Sequence, residues 1–277
     1  MPGIDAHQHF WKFDPVRDSW ITDDMAVIQR DFMPPDLQPL LEKHGLEGCV
    51  IVQSDQSEDE TIFQVDNATQ YGFIKGVVGW TDLRAPDVEE RLSAYSAYSK
   101  LKGFRHVLQG EQDRALMLTP DFKRGIAALQ QFGFTYDILI FPDQLKYSRQ
   151  LAAAFPNQLF IIDHIAKPGI KAGVIDGWKE DIKAIGALDN VYCKISGMVT
   201  EADWTNWKEA DFHPYMDTVV EAFGTKRIVF GSDWPVCQVA GGYDRMMGIV
   251  KNYFAAFSAA EQALFFGGNA ASFYQLQ

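Results

Sequence analysis

The feature that most constrains the fold is an alternation of short apolar runs with helix-like segments along the whole chain. Eight runs rich in apolar or β-branched residues cover 4–9, 48–53, 74–80, 101–108, 134–140, 159–164, 191–196 and 228–232. Several are continuously apolar, as strands are when helices cover both faces of a parallel sheet. The alternation therefore predicts an α/β protein built on parallel strands.

Segments with helical periodicity fill the intervals, often with proline in the first turn and glycine after the last. They cover 35–44, 59–71, 86–98, 119–133, 142–155, 174–188, 214–224 and 243–257, and a last helix begins near Ser258. Eight strands alternating with about eight helices, without a Gly/Ser-rich linker, predict a (β/α)8 TIM barrel with 1–277 as a single domain. A doubly wound open sheet is the alternative, but its first strand usually leads into a glycine-rich phosphate-binding turn.

The composition limits the classes of molecule that this protein is expected to bind. A formal net charge of −12 argues against nucleic acid or an anionic membrane, although it leaves an anionic small molecule open. No apolar stretch is long enough to cross a bilayer, and the first residues lack the pattern of a signal peptide. Cys49, Cys193 and Cys237 lie far apart and are expected to be buried free thiols. We therefore expect a cytoplasmic protein whose partner is a small molecule.

His7 and His9 end the first predicted strand. Side chains alternate faces along a strand, so both rings are expected on one face. Such a pair can bind a metal ion or a polar substrate group, although a His-x-His near a terminus can also be a surface sequence without a function. The other strand ends decide, because the active site of a TIM barrel lies at the C-terminal ends of its strands.

Chemically capable side chains recur at these ends, and four of the six histidines lie at or beside them. The candidates are His7, His9, Arg105, His106, His164, Lys167, Asp233 and Trp234. If strand four continues through Arg105 and His106, only one of the two faces the barrel axis. By the same alternation, Asp163 next to His164 is expected to face outward against the helix layer.

The remaining candidates are weighed between a functional role and an ordinary structural or surface role. An unpaired Asp233 at the end of an apolar run is expensive to bury, which favours a function. Trp234 is expected to form a wall of the pocket. Lys167 follows strand six and either contacts substrate or is solvated. Gln53 and Glu60, near the mouth after strand two, either contact substrate or are ordinary polar surface. Residues 10–35, aromatic and without periodicity, are expected to form a loop over the mouth.

In order along the chain, His7-x-His9, His164 and Asp233 resemble the amidohydrolase superfamily. The similarity extends to its sugar-lactonase branch, which includes L-fuconolactonases and L-rhamnonolactonases. It is carried by the stretches 5–11 (DAHQHFW), 103–106 (GFRH), 163–168 (DHIAKP), 231–235 (GSDWP) and 266–274 (FGGNAASFY). These five motifs in order span the chain and are far more specific than His-x-His alone.

The resemblance has departures that bear on metal binding. Two-metal members of the superfamily carry a bridging lysine or glutamate on strand four and a histidine on strand five. Here strand four offers Arg105, and strand five contains Tyr136 and Asp137 without a histidine. A two-metal site is therefore not expected. The ligands that remain by this resemblance are His7, His9, His164 and Asp233. They either hold one Zn²⁺ with one coordination position open or act without a metal ion. We expect metal to be dispensable for turnover.

The activity that the resemblance implies is hydrolysis of a sugar (aldono) lactone to the free sugar acid. Asp233 is expected to take a proton from water and later deliver it to the ring oxygen. The oxyanion would be stabilised by Arg105 with one or more of His7, His9, His164 and His106, or by a single metal ion. Two alternatives remain open: a metal-dependent decarboxylase of an aromatic acid, and a non-catalytic barrel that binds a sugar acid.

Overall fold

The computed structural model describes residues 3–277, in which eight parallel strands form one sheet. The strands are β1 Ile4–Gln8, β2 Gly48–Val52, β3 Ile74–Gly79, β4 Leu101–His106, β5 Thr135–Ile138, β6 Phe160–Ile162, β7 Val191–Ile195 and β8 Ile228–Phe230. Each pairs with the next in sequence. Two backbone hydrogen bonds join the two edges: the Asp233 N–H donates to the His7 carbonyl, and the His9 N–H donates to the Trp234 carbonyl. The predicted (β/α)8 TIM barrel is confirmed.

Helices follow the strands around the outside of the barrel. They are α1 Pro34–His44, α2 Glu58–Gln70, α3 Val88–Tyr95, α4 Pro120–Phe132, α5 Leu145–Ala154, α6 Trp178–Gly186, α7 His213–Phe223, α8 Gly242–Phe254, α9 Ala259–Ala263 and α10 Asn269–Phe273. Proline begins α1 and α4, and a left-handed glycine follows each of them (Gly45 and Gly133). None of the helices described in 3–277 is long and apolar enough to cross a membrane. That 1–277 is a single domain stays a prediction.

The apolar core has two parts. The larger part lies between the outer face of the sheet and the helices. The smaller part fills the barrel interior with residues such as Val50, Ile161 and Val229, and Phe273 and Tyr274 from the end of the chain complete it. The C-terminal segment therefore closes the N-terminal end of the barrel, which leaves the other end open for a site.

The segment between β1 and α1 lies over that open end. Trp11 and Phe32 pair as an antiparallel bridge, and the indole N–H of Trp11 donates to the carbonyl of Arg30. Between them the chain forms a short 3-10 helix, Asp23–Ile28. Arg17 and Trp20 from this segment line a cavity at the mouth. The expected position of residues 10–35 over the mouth is therefore observed.

Candidate active site

An irregularity in β1 directs His7 into the barrel. The pairing register with β2 shifts between Asp5 and Gln8. Asp5 faces the helix layer, where the Tyr243 hydroxyl donates to its carboxylate at 3.0 Å, and the Gln8 amide points outward to Cys49. Because of the extra residue, His7 is displaced from strict alternation and lies on the inner side.

Three imidazoles converge on one carboxylate at the open end of the barrel. The Nε2 atoms of His9, His164 and His7 lie 3.4, 3.8 and 4.0 Å from Oδ1 of Asp233. All four residues are buried. His7 and His9 therefore share a face, as strand alternation predicted, and both meet the residue that follows β8.

Two of these rings are oriented by a contact on their other nitrogen. Nδ1 of His9 lies 2.7 Å from the carbonyl oxygen of Val52, which can only accept, so His9 carries a proton on Nδ1. Nδ1 of His164 lies 3.0 Å from the hydroxyl of Ser196 on the neighbouring strand. Both Nε2 atoms are thereby held toward Asp233.

A left-handed turn after β6 corrects one expectation from the sequence. The strand ends at Ile162, and His164 to Lys167 have φ values of 53°, 49°, 60° and 51°. This conformation costs about 1–2 kcal/mol per residue outside glycine. Alternation places Asp163 inside, and the turn then brings His164 inside as well. The prediction that Asp163 faces the helix layer was wrong because it assumed that the strand continued.

Asp163 instead holds Arg105 within the barrel. Nη1 of Arg105 lies 3.0 Å from Oδ2 of Asp163 and 3.4 Å from Nε2 of His7. Nη2 donates to the carbonyl oxygen of Gln53. The arginine side chain is only 4% exposed. Three of its five N–H donors therefore have partners, which leaves the buried Nε–H and one hydrogen on Nη2.

Below Arg105 lies a second buried cation, which the sequence analysis missed. Nζ of Lys194 lies 3.0 Å from Oδ1 of Asp163 and 2.5 Å from Oδ2 of Asp137, and all three side chains are inaccessible to solvent. The Tyr274 hydroxyl donates to Asp137 at 2.7 Å. A charged residue within an apolar strand was the available signal, because burying it unpaired is expensive.

The two acids that share Lys194 differ in their pKa values. Burial would raise the pKa of Asp163. Lys194, His7 and Arg105 oppose this and hold it well below its usual range. At Asp137 burial dominates and raises the pKa to about 6, although Lys194 lowers it. Asp163 differs from Asp137 in having His7 and Arg105 as further partners that favour its charged form. Asp163 is therefore the permanently ionised partner of the two.

The pKa values of His7, His164 and Asp233 are all lowered, which leaves the two imidazoles neutral and the carboxyl group ionised. Burial lowers the pKa values of His7 and His164 well below the usual range, so both are neutral at neutral pH. Burial would raise the pKa of Asp233. His164, His9 and Lys167 oppose this and lower it below its ordinary value. Asp233 is therefore a carboxylate at neutral pH, as a general base must be.

His164 and Asp233, together with His9 and Arg105, form the floor of a cavity of about 450 Å³. Its volume suits a small ligand. Nζ of Lys167 lies 3.7 Å from a carboxylate oxygen of Glu201 at its side. Lining residues that the sequence analysis did not single out include Arg17, Trp20, Gln109, Glu201 and Trp204. They come from loops without periodicity or a strand end to mark them, so the sequence carried no signal for them.

Two predicted site residues lie elsewhere. His106 faces the helix layer: its ring packs edge-on against Phe122, and its Nε2 lies 2.7 Å from Glu111. This follows from alternation, since Arg105 faces inward. Trp234 packs against Phe10 and Phe32 with only 1% of its surface exposed, so it does not form the expected pocket wall.

Two further candidates support the site without lining the cavity. The Gln53 amide donates to the carbonyl of Arg105 at 3.1 Å, so it lies behind the guanidinium. The carboxylate of Glu60 accepts the backbone N–H groups of Ser54 and Asp55 at 2.6 and 2.7 Å. Ser54 and Asp55 line the cavity themselves. Glu60 therefore shapes a lining loop and is not part of the floor.

His7, His164 and Asp233 could jointly hold a metal ion. One ligand atom from each lies within 4.8 Å of the others, and all three are buried. Two imidazole nitrogens and a carboxylate oxygen, with one position open, fit the three protein ligands of catalytic zinc sites. His9 is not part of this group, although it approaches Asp233.

Comparison with known proteins places this geometry in a family. A model of the amidohydrolase family matches residues 4–276. The chain belongs to the amidohydrolase family. It is 39% identical over 284 residues to an L-fucono-1,5-lactonase of Burkholderia multivorans, covering 99% of this chain and 96% of the relative.

Solved structures agree with the fold. A crystal structure of an amidohydrolase from Burkholderia multivorans with bound zinc superposes with a TM-score of 0.96 at 38% identity, covering 100% of both chains. A dihydroxybenzoic acid decarboxylase from Polaromonas with bound manganese has a TM-score of 0.69 at 12% identity, covering 99% of this chain and 97% of that one. The second likeness shows the fold alone.

Proposed function

We propose that this protein hydrolyses the ester bond of a sugar lactone to give the free sugar acid, with Asp233 as general base. The observation that carries the proposal is an ionised, buried carboxylate surrounded by three imidazoles on the floor of a cavity. The 39% identity to an L-fucono-1,5-lactonase over nearly the whole chain supports a lactone as the substrate. The decarboxylase likeness is far weaker.

In the first step Asp233 takes a proton from water while the water oxygen bonds to the lactone carbonyl carbon. The carbonyl oxygen becomes an oxyanion, and Arg105 lines the cavity with one Nη2 hydrogen left to donate to it. In the second step the bond from carbon to the ring oxygen breaks, and Asp233 returns the proton to that oxygen. A carboxyl group whose pKa is held below its ordinary value is ionised at neutral pH and is suited to both transfers.

The cavity walls suit a polyhydroxylated ring. Trp20 and Trp204 offer apolar faces, while the Lys167–Glu201 pair and Gln109 offer hydrogen-bonding groups. The amide oxygen of Gln109 is buried without a hydrogen-bond partner, which leaves it available to accept from a sugar hydroxyl. These contacts would orient the lactone over Asp233.

The proposal extends to the cofactor. Zinc held by His7, His164 and Asp233 would polarise the carbonyl and lower the pKa of a bound water. We propose that turnover does not need it, because a lactone is an activated ester and Arg105 already supplies a positive charge beside the carboxylate. The cytoplasmic setting stays a prediction from the sequence, and the oligomeric state stays open.

The test is a pH-indicator assay of aldonolactones, run with and without a chelator. We expect hydrolysis of at least one aldonolactone in both conditions, and loss of hydrolysis in Asp233→Asn with the fold intact by circular dichroism. Asp244→Asn, at a surface carboxylate that is 53% exposed, is the matched control and should keep full activity. Near wild-type turnover in Asp233→Asn would remove Asp233 from the mechanism.

Two other results would favour the alternatives. Release of CO₂ from an aromatic acid that stops on chelation would indicate a decarboxylase. Thermal stabilisation by sugar acids without hydrolysis of any aldonolactone would indicate a binding protein.

A further inference from the structure

Arg105 and His7 make a contact that the proposed reaction does not explain. Nη1 of Arg105 lies 3.4 Å from Nε2 of His7. A guanidinium has only donors, so the contact uses the lone pair on Nε2. On the other side of the ring, Nδ1 lies 3.3 Å from Oδ1 of Asp163, an ionised carboxylate that only accepts. Nζ of Lys194 also lies 3.3 Å from Nδ1, but this ammonium already has Asp137 and Asp163 as closer acceptors and does not need a lone pair on the ring. The tautomer with the proton on Nδ1 and the lone pair on Nε2 therefore satisfies the contacts with both Asp163 and Arg105.

A metal ion at the candidate site would need that same lone pair. Nε2 of His7 is the nitrogen on the side of Asp233, 4.0 Å from Oδ1, whereas Nδ1 points to Asp163 and Lys194. Imidazole binds zinc through an unprotonated nitrogen at about 2.0–2.1 Å. Arg105 and zinc therefore require the same electron pair on His7, and both carry positive charge.

The arginine is firmly held in this position. Asp163 accepts from Nη1 at 3.0 Å, the carbonyl of Gln53 accepts from Nη2, and the side chain is 4% exposed. Asp163 is fixed in turn by Lys194 at 3.0 Å. Moving the guanidinium away from His7 would disturb a buried ion pair, which is costly when no other partner is at hand.

We propose that Arg105 occupies the metal-binding lone pair of His7 and thereby sets a low affinity of this site for zinc. The guanidinium is a built-in cation at the place where a divalent metal would bind. Zinc enters His7, His164 and Asp233 only when Arg105 withdraws from Nε2. The inference concerns the same site as the proposed function but does not rest on lactone hydrolysis.

The first experiment measures zinc binding without substrate, by competition with a chromophoric chelator. We expect Arg105→Gln to raise the association constant for zinc at least about tenfold over wild type, because one positive charge and one competing donor are removed. Adding His164→Ala to this variant should abolish the gain. Arg114→Gln is the matched control, since Arg114 pairs with Asp143 on the surface, and its zinc affinity should equal that of wild type. Equal or weaker zinc binding in a folded Arg105→Gln variant would overturn the proposal.

The second experiment needs no substitution and therefore decides the matter if Arg105→Gln does not fold. In metal-free wild type, ¹⁵N NMR of the histidine side chains reports which ring nitrogen carries the proton. The expected result is His7 protonated on Nδ1, with Nε2 accepting. A His7 protonated on Nε2 would overturn the proposal, because its lone pair would then not face Arg105. Metal-free turnover of lactones is measured separately, so a failure here and a failure of the proposed function are distinguishable.

Discussion

Replacing Lys194 by methionine tests whether the buried ion network is an energetic support of the barrel. Methionine keeps most of the apolar stem and removes the ammonium that contacts Asp137 and Asp163. All three side chains are inaccessible to solvent, so screening by water does not reduce the effect. Removing one partner of a buried ion pair costs about 3–5 kcal/mol. We expect the lower end, about 3 kcal/mol, because Asp163 keeps Arg105 and Asp137 can take up a proton.

The assay is urea-induced unfolding at pH 7, with Lys183→Met as the matched control. Lys183 contacts Glu221 at 2.7 Å, but the two side chains are 37% and 62% exposed. Such a pair contributes less than about 1 kcal/mol. Combining Lys194→Met with Asp137→Asn should recover part of the loss, since no unpaired charge is then left at Asp137. If Lys194→Met lowers the free energy of unfolding no more than Lys183→Met does, the network is not a support and the reasoning fails.

Three further predictions follow from single positions. Burial raises the pKa of Asp5 from 3.8 to about 6, so the folded protein binds this proton more tightly, and stability present below pH 4 falls as the pH rises through 6. The loss amounts to about 3 kcal/mol, from two pH units at about 1.4 kcal/mol each, and should be missing from the pH profile of unfolding of Asp5→Asn. Gly103→Ala should cost about 1–3 kcal/mol in thermal unfolding, because a Cβ would lie 2.2 Å from the Thr135 hydroxyl, whereas Gly110→Ala, with open space around it, should be near neutral. Ser258→Ala removes the N-cap of α9 and should lower the free energy of unfolding by about 1 kcal/mol in urea, while a change below a few tenths would show that this cap is not needed.

The barrel could be predicted from the sequence because each strand and helix carries a recognisable local sequence pattern. Apolar runs, proline at helix starts and glycine at helix ends recur in step, and the structure follows them with shifts at the ends. The shift that matters most for the site is after β6, which was predicted to reach 164 but ends at Ile162. Nothing local distinguishes a strand that continues from one that turns into a left-handed segment, because that conformation is imposed by packing and not by glycine.

The candidate site was predictable to the extent that alternation holds. Alternation placed His7 and His9 together and allowed only one of Arg105 and His106 to face the barrel axis. The structure shows that Arg105 is the inward one. Alternation failed at Asp163, where the left-handed turn brings two successive residues to the same side. The positions of Gln109 and Glu201 depend on loop conformation, for which a single sequence offers no periodic signal.

Lys194 shows why the chemistry at the mouth depends on residues far below it. Tyr274, at the closed end of the barrel, donates to Asp137, which binds Lys194, which contacts Asp163. Asp163 in turn positions both the guanidinium and His7. Each member of this column is buried, so each is costly unless the next is in place. The sequence contained these charges within apolar strands, and the rule that identified Asp233, that a buried charge must have a partner or a function, applies equally to them.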